Sequence, residues 1–347
     1  MAEIDDVIMD LFSIVLIVAG LVLFETVSSI DNAIINAEVL STMGEKARKW
    51  FLFWGVLFAV FVIRGILPWF IVWAVSPTLG PIGALTATFS DNPKIKDAIL
   101  HASPILLIGG GTFLVFLFFH WLFLEPKKYG LRGEQFFHAR GVWFFAVVSL
   151  LLLTIVWFSL QADPMLAFGA VVGSTAFFIT HGFRENAEKQ EKELLNEGKL
   201  SDMSKVFYLM VIDATFSMDG VLGAFAFTLS VPLILLGNGL GAIVVRQLTV
   251  SNVSRIKKYA YLKNGAMYSI LILGVVMLLE SFGFDIPPWV SPIVTFFIVG
   301  YFFYKSKLDF QNLQEALEPA HQLLFPVAEL ASVRARSSES FFTNFFA

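Results

Sequence analysis

Nine apolar runs, each about as long as a bilayer-crossing helix needs, recur along the chain. They fall at about 7–42, 50–75, 99–124, 137–161, 164–182, 204–230, 232–250, 262–283 and 289–305. Hydrocarbon offers no water to unpaired backbone groups, so segments of this kind must be α-helices. The expected fold class is therefore all-α, a polytopic membrane protein of about nine transmembrane helices. Composition agrees: 57% of the 347 residues are hydrophobic and 15% charged, against about 25% charged in a soluble domain. Ser76-Pro77, Asp163-Pro164 and Pro287-Pro288 punctuate the runs.

Charge in the connecting segments sets an orientation. One set of alternating loops carries Lys46, Arg48 and Lys49, then Lys127, Lys128, Arg132 and Arg140, then Arg184, Lys189, Lys192, Lys199 and Lys205. The same side continues with Arg255, Lys257, Lys258 and Lys263 and ends with Lys305 and Lys307; the opposite loops hold only Lys94 and Lys96. The positive-inside rule then places the N-terminus outside and the C-terminus in the cytoplasm, in a cell membrane. The acidic start (Glu3, Asp5, Asp6) has no basic n-region of a signal peptide. There is no Cys, which excludes thiolate metal sites and thiol nucleophiles. The bilayer is the expected surrounding, nucleic acid is not a partner, and oligomeric state is left open.

Within the first run stands Phe24-Glu25-Thr26-Val27-Ser28-Ser29-Ile30-Asp31-Asn32-Ala33. Each charge at the bilayer centre costs about 2.5–3.5 kcal/mol, so two carboxylates here need compensation. The sixth run carries Asp213-Ala214-Thr215-Phe216-Ser217-Met218-Asp219-Gly220. Acid, Ser and Asp at 25, 29 and 31 recur with the same spacing at 213, 217 and 219. The next run in each case holds a lone arginine, Arg64 or Arg246, and the third run of each set contains glycine (Gly109-Gly110-Gly111, Gly274). Five helices separate the copies, so they run in opposite directions. Helices 1–3 and 6–8 thus read as an inverted repeat whose polar, broken helices 1 and 6 point to a midplane site. Residues 1–182 then form the first repeat with helices four and five. A charged cytoplasmic linker follows at 183–203, the second repeat with helix nine at 204–308, and a cytoplasmic tail at 309–347.

Glu25, Asp31, Asp213 and Asp219, with Ser29, Ser217 and Asn32, make an all-oxygen donor set suited to Mg²⁺, Ca²⁺ or Mn²⁺ as a transported ion. Arg64 and Arg246 are the counter-charges. Met218 offers the one soft atom, although a packing role suits it better. No resident cofactor and no enzymatic activity are expected. Three other readings share these residues: a salt-bridged polar core, an exporter of a cationic organic substrate such as an amino acid, and an intramembrane aspartyl protease built on Asp31 and Asp219. The protease reading lacks the Tyr-Asp and Gly-x-Gly-Asp motifs of such enzymes.

Glu25-x-x-Ser28-Ser29-x-Asp31-Asn32-Ala33, Asp213-x-x-Phe216-Ser217-x-Asp219 and the arginines of helices two and seven resemble the TerC family of integral membrane proteins, part of the lysine-exporter superfamily. The resemblance implies metal-ion export, chiefly of Mn²⁺, with Glu25, Asp31, Asp213, Asp219 and Asn32 forming the metal site. Gly220 stands where that pattern commonly has Ser, the Pro that often follows is absent, and the 183–203 linker is long. These are marks of a divergent branch.

Overall fold

The computed structural model describes residues 2–58, 64–86, 93–197, 201–251, 258–312 and 314–315. The side chains of Asp31, Asn32 and Met218, the linker side chains 184–197 and the tail 316–347 lie outside the described residues. What is described is all-helical, with no strand among the described residues. Chain order is α1 (Ala2–Ser28), α2 (Ile30–Ser41), α3 (Glu45–Trp50, leading into a π-helical turn Phe51–Gly55), α4 (Leu67–Val75), α5 (Gly80–Thr86) and α6 (Pro93–Leu124). There follow α7 (Arg132–His138), α8 (Phe144–Ala162), α9 (Pro164–Glu197), α10 (Asp202–Ala224), α11 (Val231–Ser251), α12 (Leu262–Ser281) and a last helix, α13, over 290–312.

Helix occupies each of the nine expected stretches. Six helices are long and apolar enough to cross a membrane: Leu11–Ser28, His101–Leu124, Gly141–Ala162, Pro164–Phe183, Val231–Leu248 and Leu262–Ser281. A seventh span results if Arg64–Ala74 and Pro77–Ala84, which meet at 104°, are taken together. Ser76-Pro77 makes that corner, because proline disfavours helical backbone in the residue before it. The sixth and ninth expected spans, now α10 and α13, are not among the six.

Burial follows from position in the bundle. α6 is the central helix, with 83% of its span buried, whereas α8 has 11% buried and presents Leu150, Leu153, Trp157 and Phe158 outward. A helix apolar all round with an exposed surface is what lipid contact requires. α6 packs along α9 and α12. Small residues permit the close crossings: a Cβ at Gly109 would meet the Gly169 carbonyl at 3.0 Å, and one at Gly111 the Gly274 carbonyl at 2.9 Å. α1 packs along α11 in the same manner.

The two acidic helices differ from the expected pair of broken helices. The first is interrupted at a single residue, Ser29 (φ −91°, ψ 8°), and its ladder continues through Ser29 N–H to Glu25 O (3.1 Å) and Ala33 N–H to Ser29 O (3.0 Å). The second is not broken at all. α10 runs unbroken through Asp213–Gly220 and ends at Ala224, with turns at 225–227 before α11. The physical reason is local: the Ser217 hydroxyl donates to the Asp213 carbonyl of its own helix (2.5 Å), so it bonds within the helix and does not pull the ladder apart. Unwound carbonyls are therefore not offered as ligands by α10.

Candidate cation site

The site is built where α1, α10 and α11 meet the described start of helix two. Glu25 is fully buried, and its neighbours explain how the chain folds around it. Its stem lies against Gly241 of α11, where a Cβ would sit 2.6 Å from Glu25 Cβ. Its Oε2 lies against Gly220 of α10, where a Cβ would sit 2.5 Å away. Gly220 thus leaves room for the Glu25 carboxylate. A serine there would collide with the carboxylate as it now lies.

Glu25 Oε1 is held by three donors. Arg64, 2% exposed, donates Nε–H at 2.9 Å and Nη2–H at 2.5 Å, and the Ser29 hydroxyl donates at 2.9 Å. A lone arginine in an apolar helix must find a carboxylate, because neither charge can be left unpaired there. Arg64 also feels the charge of Asp213, whose carboxylate accepts a hydrogen bond from the Asn36 side chain. Ser29, Asn36, Arg64, Asp213 and Arg246 border one cavity of about 40 Å³, walled by Phe51 and Leu52. That volume holds about one or two waters, or one cation stripped of most of its shell.

Of the residues expected at the site, the structure brings together Glu25, Ser29, Arg64, Asp213 and Arg246. Ser217 turns its hydroxyl to its own helix. Asp219 is half-buried on α10 and does not line the cavity. Asp31 and Asn32 have side chains outside the described residues. Among the described residues, no three carboxylates or histidines are gathered as metal ligands. Glu25 is instead taken up by Arg64.

Sequence reasoning missed Asn36 entirely. It lies eleven residues after Glu25, about three helical turns, on the same face. That spacing was the signal available. It also missed a second polar centre around Glu134, a buried carboxylate in the short helix α7. Glu134 accepts from Gly130 N–H (2.7 Å), Leu131 N–H (3.1 Å), Asn264 Nδ2 (2.9 Å) and Tyr268 O–H (3.2 Å). A glutamate at the third position of a short helix, reaching back to the cap N–H, is a recognisable sequence pattern. Nearby, Lys127 donates to the Trp121 and Leu122 carbonyls that end α6. Burial, the largest influence, lowers its ammonium to about 8 despite the Glu134 and Glu125 carboxylates.

Fold and site together define an all-helical protein with apolar, membrane-length helices around a buried carboxylate–guanidinium pair. A model of the family described as "Protein of unknown function (DUF475)" matches residues 30–312, and the chain belongs to that family. No curated protein and no solved structure matches it.

Proposed function

We propose that the protein is a membrane carrier for a divalent metal ion, with Mn²⁺ as the favoured cargo. One observation carries this reading: Asp213 and Arg64 border one small polar cavity among apolar helices, and Arg64 holds Glu25, the acid that matches Asp213 in the other sequence repeat. Two matched acids are costly in a membrane and are retained where they serve an ion pathway. Hard oxygen donors (Asp213, Ser29 and the Glu25 carboxylate once released) suit Mn²⁺, Mg²⁺ or Ca²⁺. Mn²⁺ and the outward direction are what the TerC resemblance implies.

Nine spans, an inverted repeat and an outside N-terminus belong to this reading. An axis in the membrane plane exchanging helices 1–3 with 6–8 maps a contact of helix one with seven onto one of helix six with two, and a contact of helix three with eight onto itself. α6 packs on α12, α1 packs on α11, and α10 contacts α3, the following π turn and α4. Arg64 and Arg246 both reach the cavity. At about 40 Å³ the cavity suits an ion better than an organic cation.

The test compares cellular Mn²⁺ content and Mn²⁺ tolerance in cells carrying the wild-type chain, Asp213→Asn, Asp31→Asn or Asp219→Asn. The expected outcome is lower Mn²⁺ and higher tolerance with wild type, and loss of both effects with Asp213→Asn. Equal behaviour of wild type and all three variants would remove the reading. Amino-acid efflux or peptide cleavage by the wild-type chain would establish a rival class.

A further inference from the structure

Six buried side-chain atoms have no hydrogen-bond partner among the described residues, and three of them are acceptor oxygens around this site: Glu25 Oε2, Asn36 Oδ1 and Asn238 Oδ1. Their residues are 0%, 9% and 0% exposed. Buried acceptors without donors are unfavourable unless something electropositive meets them. Three of the same chemical kind, all oxygens and all lacking a proton source, are complementary to a cation. Asn and carboxylate oxygens are ordinary ligands for hard dications.

Their placement divides in two. Asn36 borders the cavity and gives its N–H to Asp213, which leaves its buried carbonyl oxygen without a donor. Glu25 Oε2 points away from Arg64, to Gly220, and the Asn238 Nδ2 reaches the Gly220 carbonyl at 3.5 Å. Asp213 precedes Gly220 by seven residues of the same helix, about 10 Å of rise. Between the two groups sits Arg64, whose Nε–H and Nη2–H both go to the opposite carboxylate oxygen, Oε1. Beyond Gly220, Phe24 and Phe227 close the packing with ring centroids 5.7 Å apart.

We propose that the cation occupies two stations in turn. The inner one is made by Asn36 Oδ1 and Asp213, and the outer one by Glu25 Oε2 and Asn238 Oδ1, with the Arg64–Glu25 pair separating them. Asn36 is then an affinity-determining residue at the inner side, and Asn238 a residue of onward passage. The proposal rests on the carrier reading above and deepens it.

The experiment uses the full chain, purified in detergent for Mn²⁺ titration by electron paramagnetic resonance and reconstituted in liposomes for Mn²⁺ flux. Size-exclusion and thermal melting verify that each variant is folded. Asn36→Ala is expected to weaken Mn²⁺ binding about tenfold or more. Asn238→Ala is expected to lower the maximal flux about tenfold. The conservative replacement separates ligation from mere positioning. Asp keeps the oxygen but cannot donate to Asp213, so Asn36→Asp retains Mn²⁺ binding if Asn36 is a ligand and loses it if Asn36 only holds Asp213. Asn238→Asp likewise retains flux if its oxygen is what matters, and remains informative if the alanine variant does not fold. Mn²⁺ binding by wild type with both alanine variants unchanged would overturn the two stations alone. No Mn²⁺ binding or flux by wild type would overturn the carrier reading and the stations with it.

Discussion

Replacing Arg64 by methionine isolates what the buried ion pair contributes. Met keeps most of the apolar stem and removes the guanidinium. Glu25 would then keep, among the described residues, only the Ser29 hydroxyl as donor, at a position with no solvent exposure. Removing one partner of a buried pair costs about 3–5 kcal/mol, because the other charge is left uncompensated. The reverse change, Glu25→Gln, should cost less, since Arg64 still has Asp213 within its field and Gln can still accept at the same place. Pairing both changes removes both charges, and a neutral replacement of a buried pair is often close to neutral. The order of stability expected is therefore wild type, then the double variant close to or between wild type and Glu25→Gln, and Arg64→Met lowest. Reversible unfolding of the purified protein in mixed micelles, titrated with a denaturing detergent, measures this order. A coupling energy between positions 25 and 64 below about 0.5 kcal/mol would refute the argument, since contacting charges should couple more strongly. So would an Arg64→Met variant within about 1 kcal/mol of wild type.

Three further outcomes follow from other contacts. Gly173→Ala should destabilise by at least about 1–3 kcal/mol, because the new Cβ would press on the backbone carbonyl of Gly109 across the α6–α9 crossing and neither helix can give locally; an unchanged unfolding midpoint would contradict that packing. Glu134→Gln should cost about 1–3 kcal/mol and loosen α7, since one of the two oxygens that together take four donors becomes an NH₂ facing them; faster proteolysis between α6 and α8 measures it. For Lys127, amine acylation followed by mass spectrometry should show a midpoint near pH 8, against about 10.5 for an ordinary lysine. Between those values the unfolded chain holds the extra proton, so this group's contribution to stability rises with pH across that window and is flat below it; a midpoint near 10.5 would exclude the burial effect.

Helical architecture was legible because bilayer-length apolar runs admit one backbone solution, and each expected stretch does carry helix. The meeting of Glu25, Arg64 and Asp213 was legible for a related reason: isolated charges in apolar helices have few partners to choose from. What escaped was set by side-chain geometry that spacing does not encode. Ser217 reads as a helix-breaking ligand, but its hydroxyl is satisfied by the Asp213 carbonyl four residues back, so α10 stays whole. Asn36 and Asn238 are uncharged, and an amide in a helix draws no attention until its oxygen is found without a donor. Gly220 looks like a defect in a motif until the Glu25 carboxylate is found lying against it.

The two repeats share their spacing but not their acids, and that difference accounts for the shape of the site. The first carries Glu at its leading position and the second Asp, one methylene shorter. The longer side chain crosses α11 at Gly241, reaches Gly220 on α10 and meets Arg64, so the Glu25 side of the site is filled and closed. The shorter one stops at Asn36 and leaves a cavity of about 40 Å³ beside it. A strictly symmetric pair of acids would close both sides or neither. The carrier proposed above would need one side closed at a time, and a Glu facing an Asp across a shared arginine supplies that inequality. Interchanging the two acids in one chain (Glu25→Asp with Asp213→Glu) should therefore move the cavity from the Asn36 side to the Gly220 side. Cysteine accessibility at Ala242, which borders the present cavity, should fall in that variant. Unchanged labelling there would mean that acid length does not decide which side is open.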